Sequence, residues 1–82
     1  MTQRNPTKED IFIAIKLKQA MRKAGCSQEK LAKHLGISYQ QVGKYCNGQN
    51  RISAGRLAIV VNFLEVPIGH FYDALIDIKE AA

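Results

Sequence analysis

Apolar residues recur along this chain at helical spacing, in blocks separated by Gly, Ser, Asn and Pro. In the first block Ile11, Ile15 and Lys18 lie on one helical face, and Leu17, Ala20, Met21 and Ala24 widen its apolar stripe. Thr7 precedes Lys8-Glu9-Asp10 as an N-cap with acids in the first turn, where they suit the helix dipole, and Gly25 supplies the stop. The pattern predicts a helix from about Lys8 to Ala24, preceded by a flexible leader over residues 1–7.

Four further helices follow from the same logic. Ser27 caps a second helix in which Leu31, Ala32 and Leu35 form a narrow buried face and Gly36 ends the last turn. Ile37 anchors the turn, and Ser38 with Gln41 forms an S-x-x-Q capping box for a third helix. Val42, Tyr45 and Cys46 face inward there, Tyr39, Gln40, Gln41, Gly43 and Lys44 are left outside, and Asn47-Gly48 closes it. After a polar loop over residues 48–52, Ser53 starts a fourth helix with Leu57, Val60, Val61 and Leu64 in register. Pro67 fits the first turn of a fifth, over about residues 67–79, holding Ile68, Phe71, Leu75 and Ile78. No strand pattern or repeat interrupts the series. The expected fold is all-α, a single domain over residues 8–82.

The second and third helices, joined by the short Gly36-Ile37-Ser38 turn, have the layout of a helix-turn-helix, whose second helix enters a DNA major groove. Charge strengthens this reading through its distribution. Net charge is +5; residues 1–33 hold eight Lys/Arg against three acids, and residues 34–56 hold Lys44, Arg51 and Arg56 with no acid. Residues 57–82 reverse the sign, with Lys79 against Glu65, Asp73, Asp77 and Glu80. A polyanion is attracted to the first two-thirds and repelled by the last third.

Other chemistries find little support. Cys26 and Cys46 with His34 and His70 match no zinc-ligand spacing, so both cysteines are expected to be reduced core residues, with no metal and no cofactor. An enzyme needs a nucleophile, base or metal constellation in a pocket, and no acidic pair or Gly-rich phosphate loop is evident. The N-terminus is polar up to Asp10 and no apolar run approaches membrane-spanning length, which makes the cytoplasm the expected location and a membrane partner unexpected.

The run Ser27-Gln28-Glu29-x-Leu31-Ala32-x-x-Leu35-Gly36-Ile37-Ser38, continuing through Val42 to Asn47-Gly48, resembles the phage-repressor and Cro-like (XRE) helix-turn-helix family. The likeness covers about residues 13–71, with Leu57, Val60, Leu64, Val66 and Phe71 at the family's later core positions. It implies a lambda-repressor-like five-helix fold and individual roles for surface residues. Gln28 would contact a DNA phosphate at a helix N-terminus. Tyr39, Gln40 and Lys44, with Gln41 as a fourth, occupy the positions that reach base edges, and Asn47, Gln49, Asn50 and Arg51 lie in the loop that grips the backbone. The chemistry agrees: a glutamine amide pairs bidentately with adenine, and a lysine favours guanine acceptors.

Many members of that family carry an arginine where this chain has Met21 and a glutamate where it has Cys46, a partly buried ion pair. Here both are apolar, so Met21 and Cys46 are expected to touch as a hydrophobic substitute. The family's proline near the fourth helix is Ile52 here, and its glycine before the last helix is Glu65. The function implied is a sequence-specific double-stranded DNA-binding transcriptional regulator, a repressor acting as a homodimer on an inverted repeat, with Phe71, Leu75, Ile76 and Ile78 at the dimer surface. The alternative is an antitoxin, partnered with a toxin, or a restriction-modification controller of the same fold.

Overall fold

The computed structural model describes residues 5–75. Four α-helices and one 3-10 helix succeed one another: α1 (Lys8–Ala24), α2 (Gln28–Leu35), α3 (Tyr39–Cys46), α4 (Ala54–Leu64) and the 3-10 helix (Ile68–Phe71). Their starts are fixed by side-chain caps. Thr7 Oγ1 accepts from the Asp10 N–H while Asp10 Oδ2 accepts from the Thr7 N–H, a complete capping box on α1. Ser27, Ser38 and Ser53 each accept from the backbone N–H three residues on. At Ser38 only this half of the anticipated box forms. Gly36 ends α2 at φ 70°, a left-handed conformation that glycine adopts without a side-chain clash. Glu65 ends α4 in the same region at φ 57° without that advantage.

One core holds the elements together. Leu17, Ala20 and Met21 of α1, Leu31 and Ala32 of α2, Val42, Tyr45 and Cys46 of α3, and Leu57, Val60 and Leu64 of α4 are buried around Phe71. The buried stripe of α1 therefore runs through Ala14, Leu17, Ala20 and Met21, and Ile11, Ile15, Lys18 and Ala24 are exposed. This rotates the expected face. Helix α1 is apolar around much of its circumference, and contact with α3, α4 and the 3-10 helix selects which side is covered.

Met21 and Cys46 do meet: the Cys46 thiol lies 3.8 Å from Met21 Sδ, with both residues about 95 % buried. Burial pushes the Cys46 thiol above its ordinary pKa, an effect partly offset by the nearby Lys18 charge. Two arrangements of the last segment depart from expectation. In place of a fifth α-helix, the described part is the 3-10 helix followed by turns to residue 75. Here the adjacent residues His70 and Phe71 are both spent on the body of the domain. His70 Nε2 lies 3.0 Å from the Lys16 carbonyl oxygen, and Phe71 is fully enclosed. Phe71 is thus a core residue, and its ring is not open to a second copy. Leu75 is half-buried, and Ile76 and Ile78 lie outside the described residues.

Candidate nucleic-acid interface

Helices α2 and α3 pack against one another through the turn at Gly36-Ile37-Ser38, with Ile37 half-buried against the core. This leaves one side of α3 to solvent. Tyr39 is 53 % exposed, Gln40 and Lys44 are exposed, and Gln41 is half-buried. The inward side is filled by Val42, Tyr45 and Cys46, so alternation along eight residues separates a core face from a polar face free of carboxylates. The Tyr45 hydroxyl accepts a 2.7 Å hydrogen bond from Arg56 Nη1, which ties α3 to the first turn of α4.

The N-terminus of α2 adjoins this surface. An open cleft of about 470 Å³ is lined by Ser27, Gln28, Glu29 and Tyr39. A Cβ built on Gly43 would stand 3.5 Å from Gln28 Oε1, so the Gln28 amide lies over α3 at its one residue without a side chain. A side chain at position 43 would meet Gln28 only at ordinary van der Waals distance, so the approach of Gln28 does not depend on glycine there. The start of α2, where Ser27 caps the Lys30 N–H and Glu29 stands exposed, thus lies with the Gln28 amide beside the exposed face of α3.

The loop after α3 supplies the other flank. Asn47, Gln49, Asn50 and Arg51 are all exposed. Asn47 Oδ1 accepts from the Gln49 N–H at 3.0 Å, and the Asn50 N–H returns to the Lys44 carbonyl at 3.3 Å, so the loop folds back on the end of α3. Ile52 is half-buried against the core. Arg51 makes an ion pair that periodicity and charge along the chain do not predict: its Nε lies 2.9 Å from Asp10 Oδ1. Forty-one positions separate the two residues, and no local signal along the chain connects them. His34 likewise has an unexpected neighbour, since its ring stacks on Phe63 with centroids 3.8 Å apart. Among the described residues no group of three or more His, Cys, Asp or Glu is arranged to hold a metal ion, and no helix is long and apolar enough to cross a membrane.

Comparison with known proteins adds to this geometry. A family model described as "Helix-turn-helix" matches residues 17–71. An uncharacterised HTH-type transcriptional regulator of Sinorhizobium medicae is 37 % identical over 71 residues, covering 87 % of this chain and 51 % of that protein. An uncharacterised transcriptional regulator in the ATPase CF(0) region of Rhodospirillum rubrum is 39 % identical over 66 residues, covering 80 % of this chain and 61 % of its own. The chain thus spans about half the length of the first of these relatives. Among solved structures, the restriction-modification controller protein C.AhdI from Aeromonas hydrophila superposes with a TM-score of 0.72 at 22 % identity, over 79 % of this chain and 98 % of that one. That likeness is one of fold.

Proposed function

Because this chain belongs to the helix-turn-helix family, we propose that it is a sequence-specific double-stranded DNA-binding transcriptional regulator, a repressor that acts in the cytoplasm as a homodimer on an inverted repeat. The observation that carries the reading is the acid-free exposed face of α3, with Tyr39, Gln40 and Lys44 outward and Gln28 at the start of α2 alongside. On this reading α3 enters the major groove. Tyr39, Gln40 and Lys44 read base edges with Gln41 as a fourth, and Gln28 binds a phosphate. Asn47, Gln49, Asn50 and Arg51 hold the backbone on the other side.

The homodimer is supported by the scale of the interface. One domain of this size offers few base contacts, and two copies on half-sites one DNA turn apart double them. With Phe71 enclosed, the dimer surface falls to Leu75, Ile76 and Ile78. Repression then follows from occupancy of the operator.

The test is selection from a random duplex pool at about 150 mM salt, followed by sequencing. Enrichment of an inverted repeat with half-site centres about ten base pairs apart is the expected result. An unenriched pool would overturn the reading and favour a regulator whose specificity needs a partner protein, as in the antitoxin alternative. On the recovered site Gln40→Ala and Lys44→Ala should each cost about 1–3 kcal/mol and relax base preference, whereas Arg51→Ala should weaken all duplexes alike and flatten the salt dependence. If Lys44→Ala behaved like Arg51→Ala, the assignment of Lys44 to base reading would be wrong.

A further inference from the structure

We infer that Asp10, in the first turn of α1, is a positioning residue for DNA: it fixes the Arg51 guanidinium from behind so that the outer nitrogens meet a backbone phosphate. The inference rests on the reading of Arg51 as a phosphate contact. Both oxygens of the Asp10 carboxylate are engaged. Oδ2 accepts from the Thr7 N–H at 2.9 Å within the α1 capping box, and Oδ1 accepts from Arg51 Nε at 2.9 Å. Its side chain is 8 % exposed, whereas that of Arg51 is 63 % exposed, so the pair has a fixed inner member and an outward-reaching one.

The same turn supports the loop backbone. Gly48 is buried close to the Asp10 carbonyl and Ile11 Cα, and a Cβ on it would stand 3.7 Å from each. Because the Nε–H faces Asp10, the Nη groups keep their donors for a second anion, and a guanidinium presents those donors in a rigid plane. An arginine already anchored loses less rotamer freedom when it meets phosphate. Helix α1, with no base-reading residue of its own, thereby sets where the loop after α3 grips the backbone.

Removal of Asp10 separates this role from simple electrostatics by the sign of the effect. An acid near DNA repels it, so charge alone predicts tighter binding without Asp10. Positioning predicts weaker binding. The affinity of the full chain for a mixed-sequence duplex, measured by fluorescence anisotropy across a salt series, reads this whatever the operator sequence, because phosphate contacts are sequence-independent. The set comprises Asp10→Ala, Asp10→Asn, Arg51→Ala, the Asp10→Ala/Arg51→Ala double and Thr7→Ala, each at a temperature where circular dichroism reports it folded. Asp10→Asn retains an oxygen for the cap should Asp10→Ala fail to fold.

Asp10→Ala and Asp10→Asn are expected to weaken binding about three- to tenfold, and the double variant to bind no worse than Arg51→Ala alone. Thr7→Ala, which removes the other half of the cap and leaves the carboxylate in place, is expected to bind like the parent. Tighter binding by Asp10→Ala in both backgrounds would overturn the inference, as would equal weakening by Thr7→Ala, which would mark the effect as helix capping. If Arg51→Ala changed neither affinity nor salt slope, the phosphate reading of Arg51 would fail and the inference with it. If Arg51→Ala weakened binding and Asp10→Ala did not, the inference alone would fail.

Discussion

Charging the Met21–Cys46 contact tests whether this sulfur packing can be exchanged for an ion pair. The two side chains are about 95 % buried and their sulfurs are 3.8 Å apart, at the junction of α1 with the end of α3. Met21→Arg alone encloses a guanidinium with no anion beside it, and Cys46→Glu alone encloses a carboxylate with no cation. Each should cost about 3–5 kcal/mol, the scale for an uncompensated buried charge. A domain of this size has a total stability nearer ~5 than ~15 kcal/mol, so both single variants should be close to unfolding at room temperature. In the double variant each charge meets the other, and a buried pair is about neutral against a packed apolar substitute, so its stability should fall within ~2 kcal/mol of the parent. The coupling energy from urea denaturation followed by circular dichroism should then exceed about 3 kcal/mol in favour of the pair. A double variant whose loss equals the sum of the single losses to within about 0.5 kcal/mol would refute the idea that these positions form one exchangeable unit.

Two further stability measurements address local features, alongside the DNA-binding outcomes stated above for Lys44, Arg51 and Asp10. Glu65 holds a left-handed backbone at φ 57°, so Glu65→Gly should raise stability by about 0.5–1 kcal/mol in chemical denaturation, and a destabilised variant would show that no strain is stored there. The Cys46 thiol is raised by burial, so the unfolded chain loses its thiol proton at a lower pH than the folded protein does. The folded state then binds more protons in that window; the contribution is fully present below the ordinary thiol value and is lost as pH rises through the folded one. Urea midpoints should therefore fall more steeply between about pH 8 and 10 for the parent than for Cys46→Ala, and parallel curves would contradict the shift.

The helix limits were legible in the sequence because the signals that set them are local. Thr7, Ser27, Ser38 and Ser53 cap helices at their own positions, and the bounds of α1 agree with those expected. The inward trio Val42, Tyr45 and Cys46, and with it the outward side of α3, followed from a helix too short to hide a second apolar stripe. Charge partition and the turn at Gly36-Ile37-Ser38 then identified the motif. Each of these properties is decided within a few residues by backbone hydrogen bonding, side-chain entropy or helical periodicity.

Tertiary packing decided the rest. Either of two overlapping stripes on α1 has helical spacing, and only contact with α3, α4 and the 3-10 helix buried Ala14, Leu17, Ala20 and Met21 while leaving Ile11 and Ile15 outside. Phe71 could equally have served a surface, but the centre of the core was open to it, and the segment around it tightened into a 3-10 helix. The support of Arg51 by Asp10 arises from the approach of the α3–α4 loop to the first turn of α1, across forty-one positions. Periodicity fixes where a helix runs and which faces it offers; which face is covered, and which distant charges meet, depends on all the helices being docked at once.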